Sequence, residues 1–307
     1  MIDPSIELVS CGSSYPEMPS FPCWEEETLT HTYDEVDYIS LHQYLGSRAE
    51  DVEDRLAQSL GMEQFIKTVV AVCDYVKAKK RSRKTLMLSF DEWNVWYHSI
   101  EADNKKMRQE PWKKAPQLLE DIYTMEDALL FGTMVITLLN HADRIKIACL
   151  AQLINAIAPI MTEPNGGKLW KQTIFWPFLH ASLYGRGIVM KSSVDSSKYD
   201  SKNFCDVPYL ETASVFDEEK NELTLFAVNR SIQETLQLTC DLKGFGKCQL
   251  IEHIQLTSND LGMVNTVKKE NIFPTQSAQT KVEDTYLTSL LSKSSWNVIR
   301  MKVHLMD

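Results

Sequence analysis

Apolar positions in this chain follow two spacings, and the change from one to the other divides it. Short apolar runs ending in polar or aromatic residues occur at 6–11, 36–44, 85–93 and 145–153. Runs this short, bounded by polar residues, read as strands covered on both faces. Helical periods lie between them. Segment 51–80 carries Val52, Leu56, Leu60, Phe65, Ile66, Val69, Val70, Cys73 and Val76 on one stripe. It ends in a basic cluster, Lys77 to Lys84, which reads as a solvated helix terminus. Segments 24–31, 117–141 and 170–184 read as further helices, with a polar loop over 101–116. After Gly185 the texture changes to period-two segments at 207–216, 222–229, 234–240, 248–256 and 295–303, with polar turns between them. Short strands without intervening helices predict a β-sandwich. The expected division is therefore an α/β region, 1–187, followed by an all-β region, 188–307. Four strands each followed by helical material make half of the eight units of a closed (β/α)8 barrel. An open sheet of four parallel strands is the competing topology.

The polar residues gather at the carboxyl ends of the predicted strands, where barrel enzymes keep their chemistry. The central run, 86–90, climbs to Asp91 and Glu92 and breaks into Trp93, Asn94, Trp96, Tyr97 and His98. Strand alternation sends adjacent side chains to opposite faces, so only one of the two acids is expected to face a cleft. Glu92 is the stronger candidate, as nucleophile or general base, with Trp93, Trp96 and Tyr97 as neighbours suited to a sugar. A strand-end acid that merely forms a salt bridge or caps a helix is the plain alternative. His42 and Tyr44, two apart, share a face. Gln152 ends the fourth run and is suited to hydrogen-bonding a hydroxyl.

Composition narrows the partners. The 307 residues carry a net charge of −10, which argues against nucleic acid and anionic membrane surfaces. No run reaches the apolar length of a membrane span. The seven cysteines lack CxxC spacing, and Cys11, Cys73 and Cys149 lie inside apolar runs, so buried free thiols in a reducing compartment are expected. The histidines show no HxxxH or HxH spacing for a metal. No Gly-rich phosphate loop and no GxSxG elbow is present.

Segment 89–98, SFDEWNVWYH, closely resembles the nucleophile motif of α-L-arabinofuranosidases of glycoside hydrolase family fifty-one. The likeness extends to DPSIELVSCGSS at 3–14, VDYISLHQY at 36–44 and IKIACLAQL at 145–153. It continues through APIMT at 158–162, HASLYGRG at 180–187 and SWNVIR at 295–300, and so covers nearly the whole chain. The resemblance implies a (β/α)8 barrel, of which this chain holds strands five to eight, followed by a jelly-roll β-sandwich. It implies a retaining glycosidase acting on terminal non-reducing arabinofuranosyl groups of arabinan, arabinoxylan and oligosaccharides, with no metal or organic cofactor. Carried over by position, Glu92 becomes the nucleophile. His42, Tyr44, Trp96 and Gln152 become substrate contacts, with Tyr44 also placing the nucleophile.

The departure lies at the other end. The family's general acid/base is a glutamate in an Asn–Glu pair closing the fourth barrel strand, and no such pair follows a strand in this region. Asn221–Glu222 and Glu270–Asn271 fall in the sandwich and do not substitute. The chain is therefore expected to be a carboxyl-terminal fragment, inactive alone, from a cytoplasmic enzyme whose amino terminus would carry any secretion signal. The family commonly forms hexamers, so a homo-oligomer is expected. Two rivals remain: a non-catalytic sugar-binding or subunit-pairing protein on the same fold, and a retaining glycosidase of another specificity.

Overall fold

Four strands lie side by side in chain order: β1 (Val9–Ser10), β2 (Tyr38–Leu45), β3 (Met87–Val95) and β4 (Ile145–Leu150), all parallel. The computed structural model describes residue 3 and residues 5–46, 51–97, 100–114, 116, 119–283 and 285–304. His98 of the central motif lies outside these. The connections carry α1 (Cys23–Thr32), α2 (Val52–Leu56), α3 (Ser59–Lys80), α4 (Ile100–Gln109) and α5 (Met125–Asn140). After β4 come a hairpin, β5 (Ile160–Thr162) with β6 (Leu169–Lys171), and α6 (Phe175–Tyr184). Every crossover steps to the next strand in the same direction, and right-handed crossovers of that kind place the helices on one face. Ile39, Leu41, Leu88 and Phe90 of the sheet share one core with Phe65, Ile66 and Val69 of α3 and Leu129 of α5.

Several boundaries depart from the sequence reading for local reasons. The first strand shrinks to two residues, and Ile6, Leu8 and Val9 are exposed, because β1 is a sheet edge. Cys11 and Cys149, expected to be buried, are exposed on the two edge strands' flanks, whereas Cys73 is buried in α3; all seven thiols are free. The long helix over 51–80 breaks between α2 and α3, and Asp51 caps α2 by accepting from the Glu53 N–H. The expected 117–141 helix begins only at Met125. There Thr124 and Asp127 form a reciprocal capping box that fixes the start. The polar loop contains α4, and Trp170 falls in β6 rather than in a helix. The basic end of α3 is ion-paired at the surface through Lys79–Glu26, Lys80–Asp34 and Lys84–Asp37.

The second region holds β7 (Ile188–Met190), β8 (Lys198–Tyr199), β9 (Val207–Pro208), β10 (Leu210–Asp217), β11 (Glu222–Asn229) and β12 (Leu236–Asp241). It continues with β13 (Lys247–Thr257), β14 (Thr275–Gln276), β15 (Thr280–Glu283), β16 (Tyr286–Leu291) and β17 (Ser295–His304). A six-stranded sheet in the order β14-β13-β17-β11-β10-β7 faces a three-stranded sheet, β12-β16-β15. Between the sheets pack Leu223, Leu225, Ile299 and Met301 against Leu238, Leu287 and Leu291. The other face of the large sheet, with Val215, Phe226, Trp296 and Val298, joins the core of α5. Both helix and sheet are thus covered on two sides, which explains why β11 is buried from Leu223 to Asn229 and α5 is apolar nearly all round. At that junction the Trp296 indole N–H donates to His180 Nδ1 over 3.0 Å. The Trp296 ring also lies where a Cβ on Gly132 would stand 2.7 Å from Cε3.

Candidate active site

In a parallel sheet all carboxyl ends share one rim, and this rim brings His42, Tyr44 and Glu92 together. The pairing of β2 with β3 runs in step to Leu41 opposite Phe90, then slips so that His42 faces Glu92 and Tyr44 faces Asn94. Asp91 is the extra residue of that bulge. A bulge re-aims side chains, and the expectation that Asp91 and Glu92 point apart fails here for that reason. Asp91 Oδ1 stands 3.0 Å from His42 Nε2, and Glu92 Oε2 stands 3.8 Å from His42 Nδ1.

The Tyr44 hydroxyl donates to Glu92 Oε2 over 3.0 Å. Burial, and then the bond to the Glu92 carboxylate, push the Tyr44 phenol well above its ordinary pKa, so it stays a donor. Its ring meets that of Trp96 edge-on, with centroids 5.0 Å apart. Trp96 is held by its own backbone, whose N–H donates to Leu45 O. Gly46 allows the approach, since a Cβ there would sit 2.1 Å from the Trp96 carbonyl oxygen. Glu92 itself is open to solvent, with about half of its side chain exposed (49%).

The other two aromatic neighbours do not line the site. Trp93 is buried and stacks against Phe131 of α5, with centroids 4.9 Å apart. Tyr97 turns to Ile122, donating its hydroxyl to that carbonyl. Gln152 lies just past β4, exposed, and makes no hydrogen bond to the other four residues; its backbone N–H donates to Ile157 O. Its segment is tied to β3 by Asn94, a buried residue that sequence reading passed over. Asn94 Nδ2 donates to Ala151 O over 2.8 Å and also to Ile157 O, while its Oδ1 accepts from the Val95 N–H. The only sequence signal for Asn94 was its place in the central motif, where an amide between two tryptophans has no apolar reason to be. Glu222, one of the sandwich acids, is bound to Arg300 over 2.6 Å, away from this rim. Among the described residues no group of three or more His, Cys, Asp or Glu side chains is placed to hold a metal. No helix among them is long and apolar enough to cross a membrane.

One exposed carboxylate, held on one oxygen by a tyrosine and flanked by a histidine and a tryptophan, suits nucleophilic attack on a sugar carbon. Known proteins resemble the chain over nearly its whole length. The sequence profile of the α-L-arabinofuranosidase C-terminal domain matches residues 91–295. An intracellular exo-α-(1→5)-L-arabinofuranosidase of Acetivibrio thermocellus is 56% identical over 301 residues, covering 98% of this chain and 60% of that protein. Its Bacillus subtilis counterpart is 52% identical and is covered over 59% of its length. The crystallised family 51 α-L-arabinofuranosidase AbfB of Bifidobacterium longum superimposes with a TM-score of 0.89 at 35% identity, over 96% of this chain and 60% of that one. The chain thus spans about 60% of the length of the curated relatives it matches.

Proposed function

The chain belongs to the α-L-arabinofuranosidases of glycoside hydrolase family fifty-one, as their carboxyl-terminal portion, and we propose that it supplies the nucleophile side of a retaining exo-acting site. Residues 1–187 are read as strands five to eight of a (β/α)8 barrel, and 188–307 as a jelly-roll sandwich. Strand order supports the barrel: a sheet wound one way in chain order is the winding of a barrel, whereas a doubly wound open sheet reverses its order at a switch point. The open edges at β1 and β4 are where the remaining barrel strands would pair.

The observation that carries the functional reading is the Tyr44 hydroxyl bonded to Glu92 Oε2 at the carboxyl rim. With Oε2 held, Oε1 is free to attack the anomeric carbon. A general acid from the part of the enzyme not represented in these residues protonates the leaving oxygen, the two carboxyl groups standing about 5–5.5 Å apart in a retaining site. The glycosyl ester on Glu92 is then opened by water, with the acid now acting as base. His42, Trp96 and Gln152 contact the sugar. The substrates are terminal non-reducing α-L-arabinofuranosyl residues of arabinan, arabinoxylan and arabino-oligosaccharides. The enzyme works without a cofactor, in the cytoplasm, in keeping with relatives named intracellular, and assembles as a homo-oligomer.

The test joins residues 1–307 to the unmatched amino-terminal part of the Acetivibrio thermocellus relative. The joined protein should hydrolyse nitrophenyl α-L-arabinofuranoside in preference to the xyloside and galactoside, releasing first the sugar of unchanged anomeric configuration. Glu92→Gln should abolish turnover. A folded joined protein that binds arabino-oligosaccharide without hydrolysing it would favour the second reading, a non-catalytic sugar-binding or subunit-pairing protein, which the outer position of β1 and β4 in the sheet also suits.

A further inference from the structure

We infer that Asp91 is a positioning residue: it fixes the proton of His42 on Nε2 and thereby makes Nδ1, the nitrogen turned toward Glu92, a hydrogen-bond acceptor for a substrate hydroxyl. The acceptor's purpose rests on the arabinofuranosidase reading; the proton's location does not.

The bulge in β3 brings Asp91 to His42. Without the register slip opposite Leu41 and His42, Asp91 would face away from the cleft. With it, Asp91 Oδ1 comes to 3.0 Å from His42 Nε2. That oxygen is shut off from solvent and has no aligned hydrogen-bond partner among the described residues. A solvent-excluded carboxylate oxygen so close to a ring nitrogen tolerates an N–H there and is repelled by a lone pair. With Asp91 Oδ1 3.0 Å away, the proton of the neutral imidazole belongs on Nε2. The neutral ring then has its lone pair on Nδ1, 3.8 Å from Glu92 Oε2, beyond hydrogen-bond reach.

Two consequences follow for Glu92. Among the described residues its Oε2 keeps one donor, the Tyr44 hydroxyl, and the carboxylate is not further quenched by an N–H from His42. The exposed edge of the imidazole offers an acceptor to a sugar hydroxyl next to the attacking oxygen. Were the ring in the other tautomer, Nδ1–H would point at Glu92 and compete with the substrate for its lone pairs. The His42 main chain is tied to the segment after β1, where its backbone N–H donates to Ser13 O.

Magic-angle-spinning NMR of the 307-residue chain with 15N-labelled histidine distinguishes the two ring nitrogens, because protonated and bare imidazole nitrogens resonate far apart; His42→Gln assigns the signals. At a pH where the imidazole is neutral, the account expects the proton on Nε2 in the wild-type chain. Asp91→Ala should lower the Nε2–H to Nδ1–H ratio severalfold, because the charge 3.0 Å from Nε2 no longer favours an N–H there. Glu92→Gln should leave the tautomer on Nε2. A wild-type spectrum with the proton on Nδ1 overturns the proposal, as does an unchanged ratio in a folded Asp91→Ala chain. If Asp91→Ala does not fold, the wild-type tautomer alone decides. None of these readings depends on turnover, so an inactive enzyme with the Nε2–H tautomer would sink the functional reading and leave this one standing.

Discussion

At the scale of single residues, the site depends on which oxygen of Glu92 is already engaged. Tyr44→Phe removes the only hydroxyl among the described residues that donates to Oε2. Because a hydrogen bond to a charged group contributes about 1.5–3 kcal/mol, kcat of the joined enzyme should fall roughly ten- to a hundredfold. The ring and its packing on Trp96 remain, so the melting temperature should change little; a large stability loss with full activity would make Tyr44 structural. Sequence alone was enough to place His42, Tyr44 and Glu92 on one rim, since strand-end polar residues after an apolar climb leave few other locations. It was not enough for Asp91 or Trp93. Alternation is a rule for unbroken ladders, and the slip between Leu41 and His42 has no mark in residue types. Trp93 and Trp96 differ only in which side of the backbone they leave, and the first is spent on packing against Phe131.

At the scale of elements, α5 and α6 meet the sandwich through two contacts that make sharp expectations. Gly132→Ala would drive a Cβ into the buried Trp296 ring, and overpacking of this kind costs about 1–3 kcal/mol, read as a lowered melting temperature. His180 is the acceptor for the Trp296 N–H, and burial pushes its pKa down to about 4 from the ordinary 6.5. The unfolded chain therefore takes up this proton first as the pH falls. Stability from His180 is complete above about pH 6.5 and declines down to about pH 4, for a total of roughly a few kcal/mol. Burial also lowers His253 and His141, which add to the same slope. Thermal unfolding followed from pH 7.5 to 4.5 should show the decline, and His180→Gln should flatten it by up to one proton. An unaltered slope would place the titration elsewhere. The strands β10, β11, β13 and β17 were readable because they are apolar at every second position or more. The strand β16 was not, since its inward Ser289 is taken up by Thr280 in a buried polar network with His253. Helix α4 was hidden by its polar composition.

For the whole molecule, the parallel sheet and the sandwich are clamped together by buried polar ties. Arg230, fully buried, donates to Leu56 O, Pro208 O, Ser59 Oγ and Glu211 Oε2, and so links the α2–α3 corner to the sandwich. Arg230→Met should destabilise by about 3–5 kcal/mol, because Glu211 is left without its partner. The opposite condition holds at the sheet edges. At the β1 edge Ile6 is 53% exposed with Leu8 and Val9 beside it, and Leu153 and Ile154 are exposed in the segment that follows β4. Unpaired edges with apolar side chains are templates for association. The 307-residue chain should accordingly self-associate in sedimentation velocity as its concentration rises, and Val9→Lys with Leu153→Lys should reduce this; monomers at all concentrations would contradict the edge argument. The central claim remains that Glu92 forms the glycosyl ester. Incubating the joined enzyme with a slow fluorinated α-L-arabinofuranoside carrying an activated leaving group, then digesting it and measuring peptide masses, tests this most directly. The account predicts one added fluoroarabinosyl mass, on Glu92 in the tryptic peptide spanning 85–105. A label on Asp91, or turnover of the reagent with no labelled peptide, would contradict it.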